Sequence, residues 1–142
     1  MTQKNTKKLE HELMDSPSIE GFLHKNKENL RSCTLSEYLQ HLLLKKRLNK
    51  AEVIQLSGLE PHYAYHIFAG QKSPSRTKVL ALALALGLSP TETQYLLYYA
   101  RAERLYVRNS WDSILWYALE HHLSVLDTNL LLEKLSASPF LS

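Results

Sequence analysis

Two histidines four residues apart, His62 and His66, stand in the stretch "PHYAYHIF" at 61–68. On a helix that spacing puts both imidazoles on one face, which is half of what a tetrahedral metal site needs. No cysteine or acidic third ligand accompanies them at matching spacing, so no metal site is expected. Each ring is left with single hydrogen bonds to donate or accept. Tyr65 shares their face, and the surface these residues predict is aromatic and nearly uncharged.

Other reactive residues point to less. Cys33 is the one cysteine; with no motif around it, it reads as a small half-buried side chain. The His121-His122 doublet falls at a helix C-terminus, where a cation suits the dipole. Arg101, Arg104 and Arg108 read as a solvated face. Tyr95, Tyr98, Tyr99, Tyr106, Trp111, Trp116 and Tyr117 crowd the second half; most are expected in the core, with room for an exposed partner patch. No glycine-rich phosphate loop follows a strand, no carboxylate pair shares a face, and no nucleophile has a base at motif spacing. The expectation is a non-enzymatic protein without a cofactor.

A chain of 142 residues with four glycines, five prolines and abundant Leu, Ala, Lys and Glu favours one folded all-α unit. With a single cysteine and no long apolar segment, it reads as cytosolic, with no membrane span. The net charge of +3 identifies no partner. Its distribution is uneven: residues 34–86 hold 7 basic and 3 acidic side chains, residues 87–142 hold 4 and 6. A central segment facing phosphate would suit that asymmetry.

The elements that must position these residues announce their starts. Thr34 with Glu37, Asn49 with Glu52, Ser89 with Glu92 and Ser124 with Asp127 are cap pairs that satisfy orphan backbone donors. Pro90 strengthens the third. Helices follow near 35–47, 50–57, 61–69, 76–86, 90–105, 111–122 and 125–135. A further helix is expected over 16–33, where Ile19, Phe22 and Leu23 form a short stripe, preceded by a flexible start at 1–15. "VLALALALGL" alternates with period two like a strand, but Leu and Ala are strong helix formers and capping signals bracket the segment. It is expected to be the buried central helix.

Shifted by 35 residues, "SRTKVLALALALGLSPTETQYLLYYA" falls on "SWDSILWYALEHHLSVLDTNLLLEKL" without a gap. Ser75/Ser110, Leu80/Leu115, Ala83/Ala118, Leu84/Leu119, Leu88/Leu123, Ser89/Ser124, Thr93/Thr128, Leu96/Leu131 and Leu97/Leu132 are identical. Two copies of a helix, a Leu-Ser cap and a second helix imply stacked hairpins, the second covering the first.

The segment "LNKAEVIQLSGLEPHYAYHIFAGQKSPSRTKVLALALALGLSP", with its two glycines, its Pro-Ser and its Leu-Gly-Leu-Ser close, resembles the lambda-repressor-like, Xre-type helix-turn-helix family. The likeness covers residues 35–90, and more loosely the whole chain looks like bacterial Xre-type proteins of similar length. It implies a helix-turn-helix domain at 34–90 and a helical extension at 91–142 packed on it. It further implies double-stranded DNA as partner, phosphate contacts at Lys50, Lys72, Ser73 and Arg76 with Lys78 nearby, and base contacts from the helix at 61–69. The family's base-reading positions carry Pro61, His62 and His66 here, beside Tyr65; Pro61 has no donor, and neither histidine makes the bidentate fork of Arg on G or Gln on A. Glu60 brings negative charge toward phosphate, and Phe68 stands where the family commonly has an acid. Ala64 and Ile67 read as core. Two functions are therefore weighed: a transcription regulator reading DNA through His62, Tyr65 and His66, and a module of the same fold whose "HYAYH" face holds a protein. The first calls for a homodimer, through residues 91–135.

Overall fold

The computed structural model describes residues 5–15, 17, 18, 33–135 and 137–139, and among them it is all-helical, with eight helices and no strand. It divides into two units, Met1–Ser32 and Cys33–Ser142. In the first, α1 (Thr6–Asp15) lies within the stretch expected to be flexible, its start capped by Asn5, whose side chain accepts the Lys8 N–H at 2.8 Å. None of its residues is buried. The helix expected over 16–33 lies outside the described residues. None of the described helices is long and apolar enough to cross a membrane.

The second unit holds α2 (Leu35–Lys46), α3 (Lys50–Ser57), α4 (Pro61–Phe68), α5 (Arg76–Ala85), α6 (Pro90–Tyr99), α7 (Ser110–Glu120) and α8 (Val125–Lys134). All four expected caps occupy N-cap positions; Thr34 and Ser89 close reciprocal boxes with Glu37 and Glu92, while Asn49 and Ser124 accept from the backbone one way. Asn109 caps α7 through the Asp112 N–H at 3.0 Å. It follows the same pattern, an Asn with an acid three residues on, and went unread.

The period-two stretch is helical. Val79 to Leu84 are all buried, and α5 packs against α3, α6, α7 and α8. Ala81 and Ala83, with no exposed surface, let neighbouring helices come close on faces that larger side chains would hold apart. This is the centre of the unit.

The chain departs from expectation after α6, which ends at Tyr99 rather than near 105. Arg101 turns left-handed (φ 56°), and the Ala102 N–H closes on the Leu97 carbonyl at 2.9 Å. The Gln94 side chain then bonds the Leu105 backbone both ways, at 3.0 and 2.8 Å, standing in for a strand neighbour and seating Leu105 in the core at 3% exposure. A helical continuation would have carried Leu105 past that seat.

The seven clustered rings also correct an expectation. Tyr95, Tyr98, Tyr106 and Tyr117 are exposed and Tyr99, Trp111 and Trp116 are half-buried, so none lies wholly in the core. Leu and Ala fill the interior of the closely spaced helices, which leaves the larger rings at its edge.

Candidate nucleic-acid interface

α3 and α4 are joined by a short turn. Ser57, fully buried, donates its hydroxyl to the Ile54 carbonyl at 2.6 Å and accepts the Leu59 N–H at 3.2 Å, while Gly58 takes φ 72°. The turn is thus hydrogen-bonded within itself and delivers Pro61 as the first residue of α4, where a missing N–H costs nothing.

Both ends of α4 are fastened. At its start the Glu60 carboxylate accepts the backbone N–H groups of His62 (3.0 Å) and Tyr63 (2.7 Å). These two bonds, that from Tyr63 first, with the imidazoles of His62 and His66 beyond them, hold the Glu60 carboxyl below its usual range against a slight desolvation. At its end the Phe68 carbonyl accepts from the Ser36 hydroxyl and the Gln40 amide of α2. Gly70 closes the helix at φ 82°, and a Cβ there would come within 3.4 Å of the Ser36 Cβ, so glycine serves both the backbone angle and the approach to α2.

Ala64, Ile67 and Phe68 are the buried face of α4, packed on α2 and α3. The opposite face presents Pro61, His62 and Tyr65, the last 44% exposed, with His66 half-buried beside them. The His62 and His66 rings stand 4.4 Å apart at 48°. The residues singled out on this helix are therefore brought onto one outer face, and Ala64 and Ile67 are in the core. Phe68 joins them there, since a side chain at that position points inward.

The expected phosphate contacts divide. The Lys50 ammonium lies 5.7 Å from the Phe68 ring centre and that of Lys78 lies 4.3 Å from the Tyr63 ring centre, so each cation stands against an aromatic side chain of α4. Lys72 and Ser73 are exposed in the loop that follows it.

Arg76 is different. Its guanidinium grips Asp112 with two bonds, 3.1 and 2.8 Å, and donates further to the carbonyls of Glu103 (2.8 Å) and Arg104 (3.2 Å). It also faces the Trp111 ring at 6.0 Å. Arg76 is consequently an internal clamp between α5, the 100–109 loop and α7, with four of its five N–H donors engaged. A phosphate contact of the kind expected there would have to compete with these partners.

Sequence reasoning missed Asp112, which is 6% exposed and also accepts the Tyr106 N–H at 2.8 Å. Its one available sign was its place in the Asn109 cap. Among the described residues no group of three or more His, Cys, Asp and Glu side chains could hold a metal ion. Comparisons with protein-family models, curated proteins and solved structures find no match.

Proposed function

We propose that this chain is a bacterial, cytoplasmic DNA-binding transcription regulator that offers α4 to a DNA groove. The observation carrying the reading is the pair of lysines against α4: Lys50 over Phe68 and Lys78 over Tyr63, with the exposed Lys72 following and an exposed imidazole and tyrosine face alongside. Phosphate contacts position a reader and base contacts specify it. Lys50, Lys72, Lys78 and Ser73 take the first role. His62, Tyr65 and His66 take the second, through single hydrogen bonds and contacts to thymine methyl groups. The resemblance of residues 35–90 to Xre-type helix-turn-helix domains supports the same assignment, and recognition by a homodimer through the 91–135 region would double a short reading face.

Binding-site selection from random duplexes, followed by a salt titration on an enriched site, tests the proposal. Three lysine contacts per chain predict that the logarithm of affinity falls with the logarithm of salt by about 2.7 per bound chain. Lys72→Ala should lower that slope by about 1 and weaken all sequences alike. His62→Ala should instead relax selectivity at one base position. A flat salt response without enrichment of any site would remove DNA as the partner.

One observation favours a second reading, a protein-interaction module. The Glu60 carboxylate, held ionised at the head of α4, opposes a phosphate backbone there, whereas an aromatic face with one acidic corner suits a protein surface.

A further inference from the structure

Residues 103–107 belong to no helix, yet each has a backbone atom fastened by a side chain from elsewhere. The Arg76 guanidinium donates to the carbonyls of Glu103 and Arg104, and the Gln94 amide holds Leu105 both ways. The Asp112 carboxylate accepts the Tyr106 N–H, and the Ser113 hydroxyl donates to the Val107 carbonyl. Their side chains, Leu105 apart, are exposed. An irregular segment fixed along its whole backbone is a pre-formed wall, able to hold a ligand without first being ordered.

That wall belongs to a groove. Glu103 to Val107 line an open hollow of about 670 Å³ together with Gln94 and Trp116, and Val107 and Trp116 carry it on into a smaller one of about 340 Å³. Such a size, with an apolar and aromatic lining and a few polar groups, suits a small molecule. The Trp116 indole N–H, the Arg104 guanidinium and the Glu103 carboxylate have no partner among the described residues. The Trp111 indole, by contrast, donates to the Ser138 carbonyl at 3.0 Å.

Charge decides what those groups would take. A lone anion in the groove would meet Glu103, and a lone cation would meet Arg104. An acid and a base side by side, neither of them paired, instead match a molecule that carries both charges. We infer that the groove binds a free aromatic α-amino acid. Its carboxylate lies on Arg104 and the Trp116 N–H, its ammonium on Glu103, and its ring against Tyr106 and Trp116. None of these residues is on α4, and the site stands whether or not α4 reads DNA.

The test uses the full chain with isotope-labelled tryptophan, whose two indole N–H signals are assigned through Trp116→Phe. L-Phenylalanine and L-tyrosine are titrated to millimolar concentrations. At least one should move the Trp116 signal saturably while that of Trp111 stays. Phenylpropionate, which lacks the ammonium, and phenethylamine, which lacks the carboxylate, should each bind at least about fivefold more weakly than phenylalanine. Arg104→Gln and Glu103→Gln should each weaken the amino acid by a similar factor. Both side chains are unbonded and the clamp uses only their backbone carbonyls, so the melting temperature of either variant without ligand should not move. No saturable shift with either amino acid, equal binding of phenylalanine and its two truncated analogues, or unchanged affinity in either variant would overturn the inference.

Discussion

In the first hairpin Ser89 caps α6, and the buried Thr93 returns its hydroxyl to the Ser89 carbonyl at 2.8 Å; in the second, Ser124 and the buried Thr128 do the same at 2.7 Å. The turns match as well. Leu88 closes on Ala83 at 3.1 Å beside a left-handed Gly87, and Leu123 closes on Ala118 at 2.9 Å beside a left-handed His122. The copies diverge where their surroundings do. α5 begins at Ser75 without a side-chain cap bond, whereas α7 takes one from Asn109. An inner helix can lean on its neighbours for its start; an outer one must supply its own. At equivalent positions Arg76 and Trp111 face each other, so the residues that most distinguish the copies also join them.

The deepest test of this comparison is at the shared core. Leu80 and Leu115 are equivalent and both fully buried, but Leu80 belongs to the helix contacted by four others. Replacement by Ala should cost about 4 kcal/mol at Leu80 and about 3 kcal/mol at Leu115, because the crowded site can collapse less around its cavity. Urea unfolding measures both. Equal losses would mean that the two copies contribute alike.

Next is the clamp between the copies. Arg76 and Asp112 retain 27% and 8% of their side-chain exposure, so their pairing escapes most of the screening that weakens surface pairs. Arg76→Ala leaves the Asp112 carboxylate with only the Tyr106 N–H, and should cost about 2–3 kcal/mol. Asp112→Ala should cost a similar amount, and the double variant much less than the sum. An additive double cycle would mean that the two side chains act separately. Phosphate binding should follow Lys72 and ignore Arg76, once folding is matched.

These residues mark the limit of what could be read beforehand. Helix starts were legible because a cap is a local device: Thr34, Asn49, Ser89 and Ser124 act within three residues of themselves. The outer face of α4 was legible for the same reason, since Ala64 and Ile67 define its inner side by spacing. Arg76 was not. Nothing in "SPSRTK" distinguishes a cation bound for phosphate from one bound for a carboxylate 36 residues away. The end of α6 was hidden likewise, because Gln94 and Leu105 find each other only after the chain has turned at Arg101. The rings misled by their size, which suggests burial, while their hydroxyls favour the rim.

A smaller effect separates the two caps. Burial raises the Glu92 carboxyl, but the bonds from the Ser89 N–H and hydroxyl and the Lys46 ammonium together outweigh it, so its pKa is lowered. Asp127 in the second copy closes no such box. A lowered carboxyl stabilises the fold fully above its unfolded pKa, and that contribution is lost as pH falls through the folded value. Glu92→Gln can still bond the Ser89 N–H but loses the charge. It should cost about 0.5–1 kcal/mol at pH near 7, and the difference from the unaltered chain should vanish in acid. A gap that stays constant with pH would assign the effect to packing.

The smallest and cleanest comparison is an exchange at the turns. Gly87 and His122 hold left-handed angles of 67° and 53°, and a side chain other than glycine there costs about 1 kcal/mol. A Cβ added at Gly87 would meet nothing within 4 Å, so Gly87→His carries the backbone cost without a clash. It should destabilise by about 0.5–1 kcal/mol, and His122→Gly should stabilise by a similar amount. Exchanging both residues should then leave stability nearly unchanged in thermal unfolding. If His122→Gly instead weakens the protein, the imidazole at the outer turn makes a contact worth more than its strain, and the two turns are equivalent in backbone alone.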